Sequence, residues 1–222
     1  MDITRTVLTK NRLLKRIARK FNNYLTGEHL DFIVNSCTNI EEIRRLSCKR
    51  TIFVCLHQPF VYYIPVWLCE MPGPLSTIFR GLQHREFREE LLRKREYNRY
   101  VYRPYVSLRA LLSRLRSGEN IILAADTRVG NHFYKIKFGP WNYHTPAGIY
   151  RLCNATGASM VPVFIHLIHL LPYPRFRLEI GSPYFFSKRP TDYDSSIEAM
   201  FSWFYSCMQK QPYMWNRISK MK

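Results

Sequence analysis

The run Thr51-Ile52-Phe53-Val54-Cys55-Leu56 is apolar without interruption and is followed at once by His57, Gln58 and Pro59. β-Favouring residues in a row, closed by a proline, read as a buried strand that stops at a loop and carries an imidazole at its carboxyl end. Residues 120–125, Asn-Ile-Ile-Leu-Ala-Ala, form a second run of this kind and deliver Asp126 at the same type of position. If the two strands are parallel neighbours, His57 and Asp126 face one crevice at the strand ends, where ligands sit in open α/β sheets. Taken singly, each has a plainer reading: His57 as a core histidine with a satisfied hydrogen bond, Asp126 as a strand-end aspartate capping the next turn.

The segments around these strands alternate between helix and strand. Residues 39–46, Asn-Ile-Glu-Glu-Ile-Arg-Arg-Leu, begin with a capping Asn and place acids in the first turn and bases in the last, as the helix dipole favours. Residues 60–70 are apolar and aromatic, a helix or a loop beside the histidine, with Pro65 leaving both open. Residues 107–115 read as an amphipathic helix closed by Ser117-Gly118. Residues 133–138 alternate as a strand turned by Gly139-Pro140, and Thr145-Pro146-Ala147-Gly148 reads as the cap and first turn of a helix ended by Gly157. Residues 159–166 and 175–180 are further strands, and 195–210 a helix. This order predicts an α/β fold with a mixed, largely parallel central sheet flanked by helices.

Charge narrows the partners. Lys and Arg outnumber Asp and Glu by 34 to 16, a formal charge of +18 that calls for an anionic partner, nucleic acid or an anionic membrane surface. Residues 3–25 place Ile3, Val7, Leu14, Ile17, Phe21 and Leu25 at near-helical spacing among Arg and Lys, predicting a basic amphipathic helix over 1–27 ahead of an α/β domain over 28–222. Such a helix either lies in a membrane interface or packs its apolar stripe on the domain. The 80–103 segment mixes arginine, glutamate and tyrosine, a solvated helix face or a phosphate-reading patch. The basic residues are dispersed and no compact nucleic-acid motif occurs, so no specific nucleic acid is expected. The longest apolar segments are too short to span a bilayer, and residues 1–25 lack a signal peptide's continuous apolar core. The expected place is therefore the cytoplasm, peripheral on the inner face of the cell membrane. Six cysteines without a Cys-x-x-Cys pair argue against a zinc site of standard spacing and fit reduced thiols.

The strand ending in His57, the segment 118–126 with Gly130 after it, Phe138-Gly139, Thr145-Pro146-Ala147-Gly148, the segment 156–163 and Gln211-Pro212-Tyr213-Met214-Trp215-Asn216-Arg217 occur together in this order. In this the chain resembles the lysophospholipid acyltransferase-like superfamily, and within it the bacterial lipid A biosynthesis (lauroyl/myristoyl) acyltransferases. The resemblance implies an enzyme that moves a fatty acyl group from a thioester, on acyl carrier protein or coenzyme A, to a hydroxyl or amine of a lipid or amphiphilic acceptor. No cofactor beyond that donor is implied, and anionic membrane lipids are the expected surface partner. His57 becomes the general base, an imidazole being the side chain matched to proton transfer near neutral pH. Asp126 corresponds to an acidic position important for activity, and Arg80 or Arg88 to an arginine that binds substrate phosphate. Trp215 and Arg217 are expected to close the fold over the sheet rather than to touch substrate.

One position departs from the pattern. The family motif is His-x4-Asp/Glu, and the fifth residue after His57 is Tyr62, a phenol without charge at neutral pH. Tyr62 itself and Glu70 are candidate orienting partners of His57. The departure leaves three readings: another carboxylate, Glu70 or Asp126, approaches His57 in space; the acceptor is an amine, which attacks a thioester without prior deprotonation; or turnover is lost and the protein is a non-catalytic relative that binds lipid or a partner.

Overall fold

The computed structural model describes residues 9–17, 31–36, 40–61, 63–68, 72–77, 101–102, 108–126, 132–171, 175–186 and 193–215. Tyr62, Glu70, Arg80, Arg88, Gly130 and Arg217 lie outside the described residues, as do Asn39 and the first and last parts of the 1–27 segment.

The described strands are β1 (Asp31–Ser36), β2 (Thr51–Cys55), β3 (Leu75–Thr77), β4 (Val101–Tyr102), β5 (Asn120–Ala124), β6 (Phe133–Phe138), β7 (Trp141–Pro146), β8 (Ser159–His169) and β9 (Arg175–Ile180). Among the described residues, seven of them form one sheet in the order β1-β9-β8-β2-β5-β3-β4, and β6 and β7 form a separate hairpin. Every pairing in the large sheet is parallel except β8 with β9. The expected mixed, largely parallel sheet is thus present, flanked by helices. Besides residues 9–17, which are helical and labelled α1, these are α2 (Ile40–Ser47), α3 (Tyr63–Leu68), α4 (Leu108–Arg116), α5 (Ala147–Thr156) and α6 (Tyr193–Lys210).

β2 is the centre, buried along its whole length between β5 and β8. An unbroken apolar run is what a parallel strand covered on both faces requires. Its start is fixed by a buried side chain, Asn120, which accepts from the Thr51 N–H at 2.8 Å and donates to the carbonyls of Ser47 at 2.9 Å and Pro72 at 3.1 Å. One amide therefore ties together the end of α2, the start of β2 and the 72–74 turn. Gly73 stands in that turn with φ +87°, where a Cβ would meet the Ser47 carbonyl at 3.1 Å, so this turn is built for glycine.

β8 changes partner along its length. Residues 159–162 pair in parallel with β2, and from Val163 onward the strand pairs antiparallel with β9. Beyond the point where β2 ends, two glutamines take over the pairing on its other edge. Gln58 donates to the Ile165 carbonyl at 2.8 Å and accepts from the Ile165 N–H at 3.1 Å, and Gln211 makes the same reciprocal pair with Leu167 at 2.8 and 3.1 Å. A primary amide carries one donor and one acceptor in the geometry of a peptide unit, so it can stand in for a missing strand.

Three local expectations change. The segment after Gly139-Pro140 is a strand, β7, that folds back on β6 with Phe138 opposite Trp141. Thr145 is no helix cap: Pro146 occupies the N-cap without a side-chain bond, and the Thr145 hydroxyl is spent on the Ala125 carbonyl at 3.1 Å and the Tyr150 hydroxyl at 2.7 Å. Pro65 is accommodated because it falls in the first turn of α3, where backbone N–H groups have no partner within the helix. Gly157 does end α5, with φ +67° and its N–H on the Cys153 carbonyl at 2.8 Å.

The described part of α1 is partly packed on the domain. Leu14 joins the core, and Asn11 is buried and donates to the carbonyls of Tyr213 at 2.5 Å and Trp215 at 3.0 Å. Its described part is therefore packed on the C-terminal segment, while Arg12, Leu13 and Arg16 stay exposed.

Candidate active site

The pairing of β2 with β5 sets Cys55 beside Ala124 and is extended by the Ala125 N–H, which donates to the Cys55 carbonyl at 2.9 Å. Two residues further along each strand come His57 and Asp126, so a parallel register with a repeat of two puts them side by side on one face. Asp126 Oδ1 lies 2.5 Å from His57 Nδ1, and both carboxylate oxygens accept from the His57 backbone N–H at 3.1 Å. Of the sequence-predicted candidates, the described residues bring together His57 and Asp126. Of the two carboxylates named as able to approach His57 in space, Asp126 does so, and Glu70 lies outside the described residues.

Asp126 is fully buried, whereas the His57 ring is partly open, its side chain 38% exposed. A buried carboxylate is costly unless N–H donors surround it. Here Trp215 supplies a further donor, its indole Nε1 lying 2.9 Å from Asp126 Oδ2. The Asp126 main chain is held as well, by the Tyr143 hydroxyl on its carbonyl at 3.0 Å. Trp215 is in turn wedged edge-on against Phe138, with ring centroids 4.9 Å apart, and packs near Tyr143. A chain of contacts runs from α1 through Asn11 and Trp215 to Asp126 and His57.

With Nδ1 engaged by the carboxylate, the imidazole is fixed in orientation. Cys55, two residues before His57, does not offer a nucleophile: burial pushes its thiol far above the ordinary range and the Asp126 charge adds to the shift. Burial also holds the Tyr150 phenol far above its usual range, although its bond to Thr145 pulls the other way.

Two residues of the site escaped the sequence reading. Trp215 was expected to close the fold over the sheet; it is buried against Phe138 and Tyr143 of the β6–β7 hairpin, and its N–H reaches the carboxylate that holds His57. Gln58 had a usable signal: an amide inside an otherwise apolar stretch, next to the histidine, is a buried polar group in need of partners. Glu119, inside the family-like 118–126 segment, lies at the other end of β5, where it accepts from Ser76 at 2.5 Å and Arg114 at 2.7 Å.

Fold and site together define an α/β protein with a histidine–aspartate pair at the carboxyl ends of two parallel strands of a mixed sheet. Over residues 7–220 the chain matches the model of the family described as "Bacterial lipid A biosynthesis acyltransferase", and it belongs to that family. The family's activity is acyl transfer to lipid acceptors. No curated protein matches the chain in sequence.

Proposed function

We propose that the protein transfers a fatty acyl group from an acyl thioester, carried by acyl carrier protein or coenzyme A, to a hydroxyl or amine of a lipid or amphiphilic acceptor at the cytoplasmic membrane face. The observation that carries this reading is the 2.5 Å contact between His57 Nδ1 and Asp126 Oδ1. His57 Nε2 takes the acceptor's proton as its oxygen or nitrogen attacks the thioester carbonyl. The carbon–sulfur bond then breaks, and the thiolate leaves and recovers a proton from the imidazolium. Asp126 fixes the tautomer and steadies the imidazolium while it exists, the part a buried aspartate plays in a Ser-His-Asp triad.

Membrane attachment draws support from α1, whose exposed Arg12, Leu13 and Arg16 give a basic surface with an apolar member. Among the described residues no helix is long and apolar enough to cross a membrane. Arg80 and Arg88 are proposed for the acceptor's or donor's phosphate on the family resemblance alone.

The test uses purified protein, acyl thioesters of both carriers and lipid acceptors in anionic vesicles, with products read by mass spectrometry. An acylated lipid that disappears with His57→Ala supports the proposal. Unchanged transfer by that variant removes His57 from the mechanism, and no transfer from either carrier to hydroxyl or amine acceptors rejects the activity.

A further inference from the structure

A second cluster of reactive side chains sits where β8, β9 and α6 meet. His166 comes from β8, Glu179 from β9, and Cys207 with Lys210 from α6. The His166 side chain is 5% exposed, its Nε2 is buried without a hydrogen bond, and the nearest Glu179 oxygen is 3.6 Å away, beyond hydrogen-bond reach. Such an orphaned buried nitrogen calls for an explanation. Cys207 Sγ lies 3.1 Å from Glu179 Oε2, and the three potential ligand atoms are all within 4.8 Å of one another.

We propose that His166, Glu179 and Cys207 form a zinc(II) site that fastens α6 to the β8–β9 pair. Imidazole nitrogen, thiolate sulfur and carboxylate oxygen are zinc's usual donors, whereas calcium and magnesium favour oxygen alone. Bond lengths of about 2.0–2.3 Å in a tetrahedral site put neighbouring donors about 3.5 Å apart. The two Glu179 oxygens stand near that spacing from the other donors, Oε1 3.6 Å from His166 Nε2 and Oε2 3.1 Å from Cys207 Sγ, on elements fixed by sheet pairing and helix packing. The Cys-x-x-Cys spacing that sequence reading requires is missing because the ligands come from three separate elements.

Burial pushes the His166 imidazole below its ordinary range, against the pull of Glu179 and with the help of Lys210 and Arg177, so a neutral ring is ready to ligate. Burial, and Glu179 beside it, raise the Cys207 thiol, so metal binding has to release its proton to solvent as the sulfur–metal bond forms. Lys210 now holds Glu179 with Nζ 2.8 and 2.9 Å from its two oxygens. Its side chain is 58% exposed, so it can swing out into water as the metal takes the carboxylate, with a water as fourth ligand.

The full-length protein, stripped with a chelator and kept reduced, is titrated with zinc(II) against a chromophoric chelator and with cobalt(II) by absorbance. One metal per chain, a thiolate-to-cobalt charge-transfer band with tetrahedral ligand-field bands, and loss of the charge-transfer band in Cys207→Ser are expected. Lys210→Met, which removes a competing ammonium, tightens zinc by about tenfold. No stoichiometric binding, or a charge-transfer band that survives in Cys207→Ser, overturns the proposal. If Cys207→Ser does not fold, the Lys210→Met titration decides, and zinc affinity equal to the parent's is the overturning result. None of these readings depends on acyl transfer.

Discussion

The indole N–H of Trp215 donates to Asp126 Oδ2 at 2.9 Å, a bond that spans 89 positions of sequence and ends on the carboxylate that holds His57. It makes the C-terminal segment a support of the His57–Asp126 pair. Trp215→Phe keeps an aromatic ring beside Phe138 while deleting the donor. Losing a hydrogen bond to a buried charged group costs about 1.5–3 kcal/mol. The variant is expected to unfold at lower denaturant by that amount and to lose kcat without a matching change in KM, as measured by denaturant titration and steady-state transfer assays.

Asp126→Asn preserves shape but presents a neutral amide to His57 Nδ1. With an uncharged partner the favoured tautomer and the support of the imidazolium are both lost. The expected drop in kcat is about 10³- to 10⁴-fold, by analogy with the orienting aspartate of serine proteases. A pre-steady-state or steady-state rate within tenfold of the parent contradicts the assignment of Asp126.

Gln58 is legible as a structural clamp with a direct test. Gln58→Leu leaves both the N–H and the carbonyl of Ile165 without the partner they now have. An unsatisfied buried group costs about 1–3 kcal/mol, so the variant is expected to be destabilised by at least that much. Hydrogen exchange at the Ile165 amide, followed by NMR or mass spectrometry, should accelerate in step.

Alkaline pH should weaken the fold through three thiols. Burial raises Cys55, Cys153 and Cys207, the first further through Asp126 and the last through Glu179. Above the ordinary thiol range the unfolded chain loses these protons and the folded protein keeps them, so the unfolded state binds fewer protons and stability falls as pH rises. The contribution is complete below about pH 8 and declines above it. Chemical denaturation between pH 7 and 10 should show the decline, and Cys153→Ala should flatten it. Iodoacetamide should label exposed Cys48 well before buried Cys55, Cys153 or Cys207.

Much of this was written in local sequence. The unbroken apolar runs ending in His57 and Asp126 specify buried parallel strands, because a strand covered on both faces needs no polar alternation. Gly157 marked a helix end for the reason that only glycine adopts its backbone at no cost. β7 was missed because Trp141–Pro146 is short, mixes polar and aromatic residues, and follows a turn that gives no sign of a returning strand. Thr145 was misread because a hydroxyl before a helix suits capping, while the buried Tyr150 hydroxyl and Ala125 carbonyl that claim it are set by packing.

Sequence alone determined the α/β class, the two strand ends and the family, since these depend on hydrophobic runs and ordered local segments. Tertiary structure decided that the Asp126 carboxylate meets His57. A side-chain partner is chosen by register across β2 and β5 and by the donors that make a buried charge tolerable, and Trp215 reaches Asp126 only once the C-terminal segment has packed against α1 and the β6–β7 hairpin. Spacing along the chain points five residues past His57 to Tyr62. Among the described residues, the fold brings to His57 a residue 69 positions away, because neighbouring strands bring together what local sequence keeps apart.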